Sequence, residues 1–321
     1  MHHSEEAEMS GNHSKYRQLI AQCRELPPTH CAVAHPCDES SLRGAIEAGR
    51  MGLIRPILVG PQARIAAIAA QAEIDLAGLE LVDTPHSHAS AEVAVRLARE
   101  GKAEMLMKGS LHTDELMAAI VHRETGLRTE RRISHCFIMD VPAIDRVVMI
   151  TDAAINILPT LTDKVDIVQN AIDLAHALGL ENPKVAILSA METVNPQVPS
   201  TIDAAALCKM AERSQITGGV LDGPLALDNA INLGAARIKN IASPVAGQAD
   251  ILVVPDLEAG NMLAKSLSFM ADADAAGIVL GARVPIVLTS RADSVQTRLA
   301  SCAVGELVAK ARREDLKKVV V

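Results

Sequence analysis

The stretch PIVLTSRADSVQTRLAS, Pro285 to Ser301, joins a strand to a helix and puts polar chemistry at the joint. Ile286 to Leu288 make a short apolar run of strand character. Val295, Leu299, Ala303 and Leu307 recur every four residues and give the next segment one buried helical face. Ser290 and Arg291 are left at the mouth of the strand, near the free N–H groups of the helix. A guanidinium can hold phosphate through paired hydrogen bonds, and a hydroxyl can donate to an oxyanion. The competing reading makes Ser290 or Asp293 a helix cap and leaves Arg291 solvated.

The same alternation runs back through the chain. From Thr29 the runs CAVAH, IRPILVG, LELVDT and AEMLMKGS are separated by helical patterns through Ala45, Ile68 and Val95. After Arg131 come RRISHCFIMD, DRVVMITD, KVAILSA, GGVLDG, ADILVVPD and AGIVLGA, with helices predicted over 163–178 and 201–215, around Asn229 and after Glu258. This βα rhythm predicts an α/β fold with a largely parallel sheet covered by helices on both faces. Several strands end in compact polar groups: Lys108 to Ser110, Thr151-Asp152, Ser189 to Thr193, Asp222-Gly223, Asp256 to Asn261, and Ser290-Arg291. Ligands of open α/β sheets bind outside the carboxyl ends of strands, so a cleft is expected there. Taken singly, each group also reads as a cap or turn.

The 321-residue length allows one large or two medium domains, and two are expected. With no Trp, two Phe and one Tyr, the core must be built from Ala, Val, Ile, Leu and Met. Aromatic platforms for single-stranded nucleic acid are therefore lacking, and a net charge of -8 argues against a reader of phosphate backbones. Small anions remain open as ligands. Six cysteines without a C-x-x-C pair read as reduced thiols of a cytoplasmic protein. The first 15 residues are polar and acidic and read as a disordered tail. No apolar run approaches a membrane span.

Neither G-x-G-x-x-G nor G-x-x-x-x-G-K-[ST] occurs, which demotes a dinucleotide or P-loop enzyme. His30, Cys31, His35 and Cys37 have suitable metal-binding atoms, but their spacing fits no common finger, and a buried structural Cys31 is the simpler reading. In VPDLEAGNMLAK, Asp256 and Glu258 open a helix on which Lys265 follows Asn261 at i+4, so those two share a face suited to an anion. Asp222 stands at a tight turn on the carboxyl edge. Lys108, Ser110, Asp222, Asp256, Asn261 and Lys265 are the candidate substrate-binding residues; Ser290, Arg291 and Asp293 are the candidate catalytic ones.

The segments KGSLHT, ITDAAINI, KVAILSAMETVNP, STIDAAALCKMA, GGVLDGPLALDNAI, SPVAGQADILVVPDLEAGNMLAK and PIVLTSRADS, in this order from Ala103 to Ser294, resemble the phosphate acetyl/butyryltransferase family. The resemblance implies two three-layer α/β/α domains of the isopropylmalate-dehydrogenase-like type with the active site in the interdomain cleft. It also implies a discontinuous first domain, 16–139 and 282–321, enclosing an inserted second domain, 140–281. The implied reaction moves a short acyl group, acetyl in the leading reading, between acyl-CoA and inorganic phosphate through a ternary complex. Acyl phosphate and coenzyme A are its products, and neither metal nor nicotinamide is required. A homodimer or higher homo-oligomer is expected. In the acetyltransferases the Ser matching Ser290 stabilises the transition state and the Arg matching Arg291 engages phosphate. Their catalytic Asp falls at Thr297 here and a Cys of theirs at Ala153, so neither carries over. This leaves Asp293 as the candidate base for the coenzyme A thiol, against a capping role. A butyryltransferase and a non-catalytic transacetylase-like regulatory module are the alternatives. Metal-dependent decarboxylating dehydrogenases of the same fold are disfavoured, because the sole Tyr is Tyr16.

Overall fold

A computed structural model describes residues 14–289 and 293–319. The first half alternates strands and helices: α1 (Ser14–Cys23), β1 (Thr29–Ala34), α2 (Glu39–Arg50), β2 (Ile54–Gly60), α3 (Gln62–Gln71), β3 (Glu80–Asp83), α4 (Ser87–Arg99), β4 (Met105–Lys108) and α5 (Thr113–Val121). Next come β5 (Ser134–Asp140), β6 (Val148–Thr151), α6 (Leu161–Ala177), β7 (Lys184–Leu188), α7 (Pro199–Glu212), β8 (Val220–Leu225), α8 (Leu227–Ile231), α9 (Leu233–Ile238) and β9 (Ile251–Val253). The chain closes with α10 (Leu257–Met270), β10 (Asp274–Leu280), β11 (Ile286–Val287) and α11 (Val295–Val319). Local chemistry sets the helix starts. Asp38 accepts from Ser41 N at 2.7 Å to open α2, Thr160 and Asp163 form a capping box on α6, and Pro199 takes the first turn of α7.

These strands form an eleven-stranded sheet in the order β3-β2-β1-β4-β11-β10-β5-β6-β9-β7-β8. β11 pairs in parallel with β4. The expectation of a largely parallel sheet holds at both ends and fails in the middle. β11 with β10, β10 with β5, and β5 with β6 are all antiparallel. Three successive reversals make the set β6-β9-β7-β8 run opposite to β3-β2-β1-β4-β11. The reason lies in the connections: 141–147 and 281–285 are too short for a crossover to a parallel neighbour.

Alternation along each strand sends residues to two faces with different packing. On one face Met105, Met107, Cys136, Ile138, Met149, Ala276 and Ile278 join one continuous apolar cluster with α1, α6 and α11. On the other face the apolar packing divides. Leu106 and Val279 belong to a cluster under α4 and α5, while Met139, Val148 and Ile150 belong to one under α10.

Helix α1 starts at Ser14. Lys15 pairs with the buried carboxylate of Asp140 at 2.7 Å, and Tyr16, Leu19, Ile20 and Cys23 enter the continuous cluster. The Tyr16 hydroxyl donates to the carbonyl of Ile138. α1 also packs against α11, where the Cys23 thiol donates to Ala303 O at 3.3 Å.

Candidate active site

Where the apolar packing divides there is a cavity of about 810 Å³, within the usual range for small-molecule sites. Its floor is the antiparallel centre of the sheet. His135 pairs with Val279, Phe137 with Gly277, and Met139 with Ala275, so His135 and Phe137 lie between the two separate clusters. Both line the cavity.

One wall is α10. Asp256 caps it by accepting from Ala259 N at 2.8 Å. Gly260 lets the helix approach the sheet closely: a Cβ there would stand 2.7 Å from Val254 Cγ2 and 2.9 Å from the Asp152 carbonyl oxygen. That approach seats Asn261, whose Nδ2 donates to Ala153 O at 3.2 Å. Asn261, Ala264, Lys265, Ser268 and Phe269 then line the cavity from a single helical face. The loop after β6 is held by Asp152, whose carboxylate accepts from Ala154 N, Ile155 N, Asn156 N and Asn156 Nδ2 at 2.6–3.2 Å. This brings Ala154 to the cavity edge.

The opposite wall comes from β4 and from the segment around β11. Lys108, buried at the end of β4, lines the cavity, as do Thr289, Asp293, Ser294 and Thr297. Ser294, not Asp293, supplies the cap seen on α11: its Oγ accepts from Thr297 N at 3.1 Å. Asp293 is thus a lining residue, and the capping role weighed for it belongs to its neighbour. Arg298, 2% exposed, donates from Nη1 to Thr289 Oγ1 at 2.6 Å and ties the end of β11 to the first turn of α11. Ser290 and Arg291 themselves lie outside the described residues.

Of the substrate-binding candidates, Lys108, Asn261 and Lys265 come together in this cavity. Ser110, Asp222 and Asp256 are not among its lining residues. Ser110 Oγ donates to His35 O at 2.9 Å and accepts from Cys37 N, tying the β4 end to the β1 end. Asp222 accepts from Gly223 N at 2.9 Å on the edge strand β8. Sequence reasoning passed over His135, Phe137 and Thr289. For Phe137 a signal existed: the chain has two Phe, and both Phe137 and Phe269 line the cavity.

Residues 89–305 match the phosphate acetyl/butaryl transferase family, about two thirds of the chain. The chain belongs to the phosphate acetyl/butaryl transferase family. It is 68% identical over 300 residues to the phosphate acetyltransferase of Rhizobium meliloti, covering 94% of this chain and 95% of that one. It is 42% identical over 294 residues to the phosphate butyryltransferase of Clostridium acetobutylicum, covering 92% and 98%. Among solved structures it resembles a branched-chain phosphotransacylase from Enterococcus faecalis V583, with a TM-score of 0.77 and 31% identity over 87% of this chain and 99% of that one. For a member of this acyltransferase family, the cavity's mixture of lysines, an amide and apolar side chains suits an anion bonded to a short acyl group.

Burial in this cavity lowers the pKa of His135 to about 4, and the Asp152 carboxylate opposes the shift. An imidazole in the unfolded chain titrates near ~6.5, so between these values the unfolded chain binds the additional proton. Stability is therefore lost as pH falls from the unfolded value to the folded one. His135→Phe should remove this part of the acid sensitivity in thermal unfolding at pH 7 and pH 5. Equal losses in variant and wild type would count against it.

Proposed function

We propose that the chain is a phosphate acyltransferase that moves a short acyl group, acetyl foremost, reversibly between coenzyme A and inorganic phosphate. The observation that carries this reading is the 68% identity, over nearly the full length of both chains, to a phosphate acetyltransferase. In the forward direction a phosphate oxygen attacks the thioester carbonyl carbon. The new C–O bond forms, the C–S bond breaks, and the thiolate leaves and takes a proton to become coenzyme A. Arg291 holds phosphate, with Lys108 and Lys265 adding positive charge, while Ser290 stabilises the carbonyl oxyanion and Asn261 helps hold substrate. Asp293 serves as the base for the thiol in the reverse direction. Ser110 and Asp256 support the site through the backbone they hold at the end of β4 and the start of α10. Lys108, Asn261, Lys265 and Asp293 around one cavity support these roles.

Neither metal nor nicotinamide takes part in this scheme. A cytoplasmic location fits six free cysteines, and among the described residues no helix is long and apolar enough to cross a membrane. Self-association into a homodimer or higher homo-oligomer is supported by Met262, Phe269 and Met270, which are exposed on α10.

Phosphate-dependent release of free thiol should follow addition of acetyl-CoA without divalent metal or NAD. Rates with propionyl-CoA and butyryl-CoA in parallel set the acyl preference. Activity abolished by a chelator and restored by a divalent cation would overturn the scheme, and preference for butyryl-CoA would favour the butyryltransferase reading.

A further inference from the structure

We propose that His135 contacts the substrate, its neutral imidazole supplying an N–H to the acyl carbonyl oxygen that the thioester and the acyl phosphate share. This rests on the acyl-transfer reading above and adds a residue to it. His135 is 1% exposed and lines the cavity, and among the described residues its buried Nδ1 has no hydrogen-bond partner. The nearby Asp152 carboxylate does not serve, since four N–H donors from residues 154–156 already occupy its acceptor sites. A buried polar atom left in this state costs ~1–3 kcal/mol, a cost that a small turn of the ring toward an acceptor bound in the cavity would relieve.

The ring is held rather than loosely packed. The His135 carbonyl accepts from Thr151 Oγ1 at 2.9 Å, and the imidazole and the Phe137 ring pack edge to face with centroids 4.4 Å apart at 71°. On the neighbouring strand Gly277 leaves the ring room: a Cβ there would stand 3.0 Å from His135 Nε2. The surroundings select the ligand atom. A neutral donor offsets none of the charge of phosphate, which Lys108 and Lys265 can meet. Phe137 and Leu288, which line the cavity with His135, suit the uncharged acyl end. A carbonyl oxygen that gains negative charge during transfer is the acceptor that rewards a fixed neutral N–H.

The test compares wild type, His135→Phe and His135→Asn in the full chain, varying acetyl-CoA and phosphate independently and measuring acetyl-CoA and coenzyme A binding by calorimetry. Phe fills the ring's space without a polar atom, so its Tm at pH 7 should match or exceed wild type. Its kcat/KM for acetyl-CoA should fall by ~10- to 100-fold with the KM for phosphate unchanged. The wild type should bind acetyl-CoA more tightly than coenzyme A, that difference should vanish in the Phe variant, and Asn, which keeps an N–H, should recover part of both losses. Should the Phe variant fail to fold, His135→Ala against His135→Asn carries the same comparison. Wild-type kinetics and undiminished discrimination in the variant without an N–H would overturn the proposal. A wild type without phosphate-dependent turnover that still discriminates through His135 would sink the functional reading alone.

Discussion

Exchanging Arg291 for lysine should lower kcat/KM for inorganic phosphate by roughly 10- to 100-fold and change acetyl-CoA binding by no more than about twofold. Lysine keeps the positive charge and loses the planar fork that grips two phosphate oxygens at once, and one charge-assisted hydrogen bond is worth ~1.5–3 kcal/mol. The expectation rests on the proposed phosphate role, and Thr289 and Asp293, described residues on either side in the chain, both line the cavity. Lys108 and Lys265 line it too, so point charge is already supplied there. In the proposed role Arg291 would add two-point geometry. Initial rates over a phosphate series at saturating acetyl-CoA measure the effect. A variant with the wild-type phosphate dependence would remove Arg291 from that role.

The βα rhythm was legible because each strand buried on both faces is a short apolar run and each helix repeats its apolar residues at helical spacing. Strand direction was not carried by that periodicity. It was carried by connection length, since the residues between β5 and β6 and between β10 and β11 are too few to cross over, and this reverses the centre of the sheet where the cavity forms. Lys108, Asn261 and Lys265 were readable as polar residues at strand ends and on one helical face. His135 was not: it sits inside the strand pattern SHCFIMD, where a sequence gives no sign that the apolar packing above it stops. The helix α1 was hidden by the polar tail before it, and its burial depends on a sheet face assembled more than a hundred residues later, where Tyr16 meets Ile138.

Asp293→Asn should slow attack of coenzyme A on acetyl phosphate by ~100-fold at neutral pH, within the range for loss of a general base. A thiol with a reference pKa of about 8.5 is mostly protonated at pH 7, and only the thiolate attacks, so a carboxylate in reach raises the productive fraction. In the Asn variant that assistance is gone and the rate must track thiol ionisation. It should climb nearly tenfold per pH unit toward the thiol's own pKa and approach the wild-type rate in alkali. The helix start separates this from a structural effect. Ser294 holds the cap bond to Thr297 N, so Asp293→Asn leaves it in place, whereas Ser294→Ala should cost ~1 kcal/mol of stability and keep turnover. Asp293 also attracts the buried guanidinium of Arg298, which in turn holds Thr289, so the variant's Tm is read alongside its rate. A slow variant with a preserved Tm and a rate that recovers with pH identifies the base. A variant with normal turnover and a lowered Tm makes Asp293 an electrostatic partner of Arg298, and the thiol proton then goes to another carboxylate or to water.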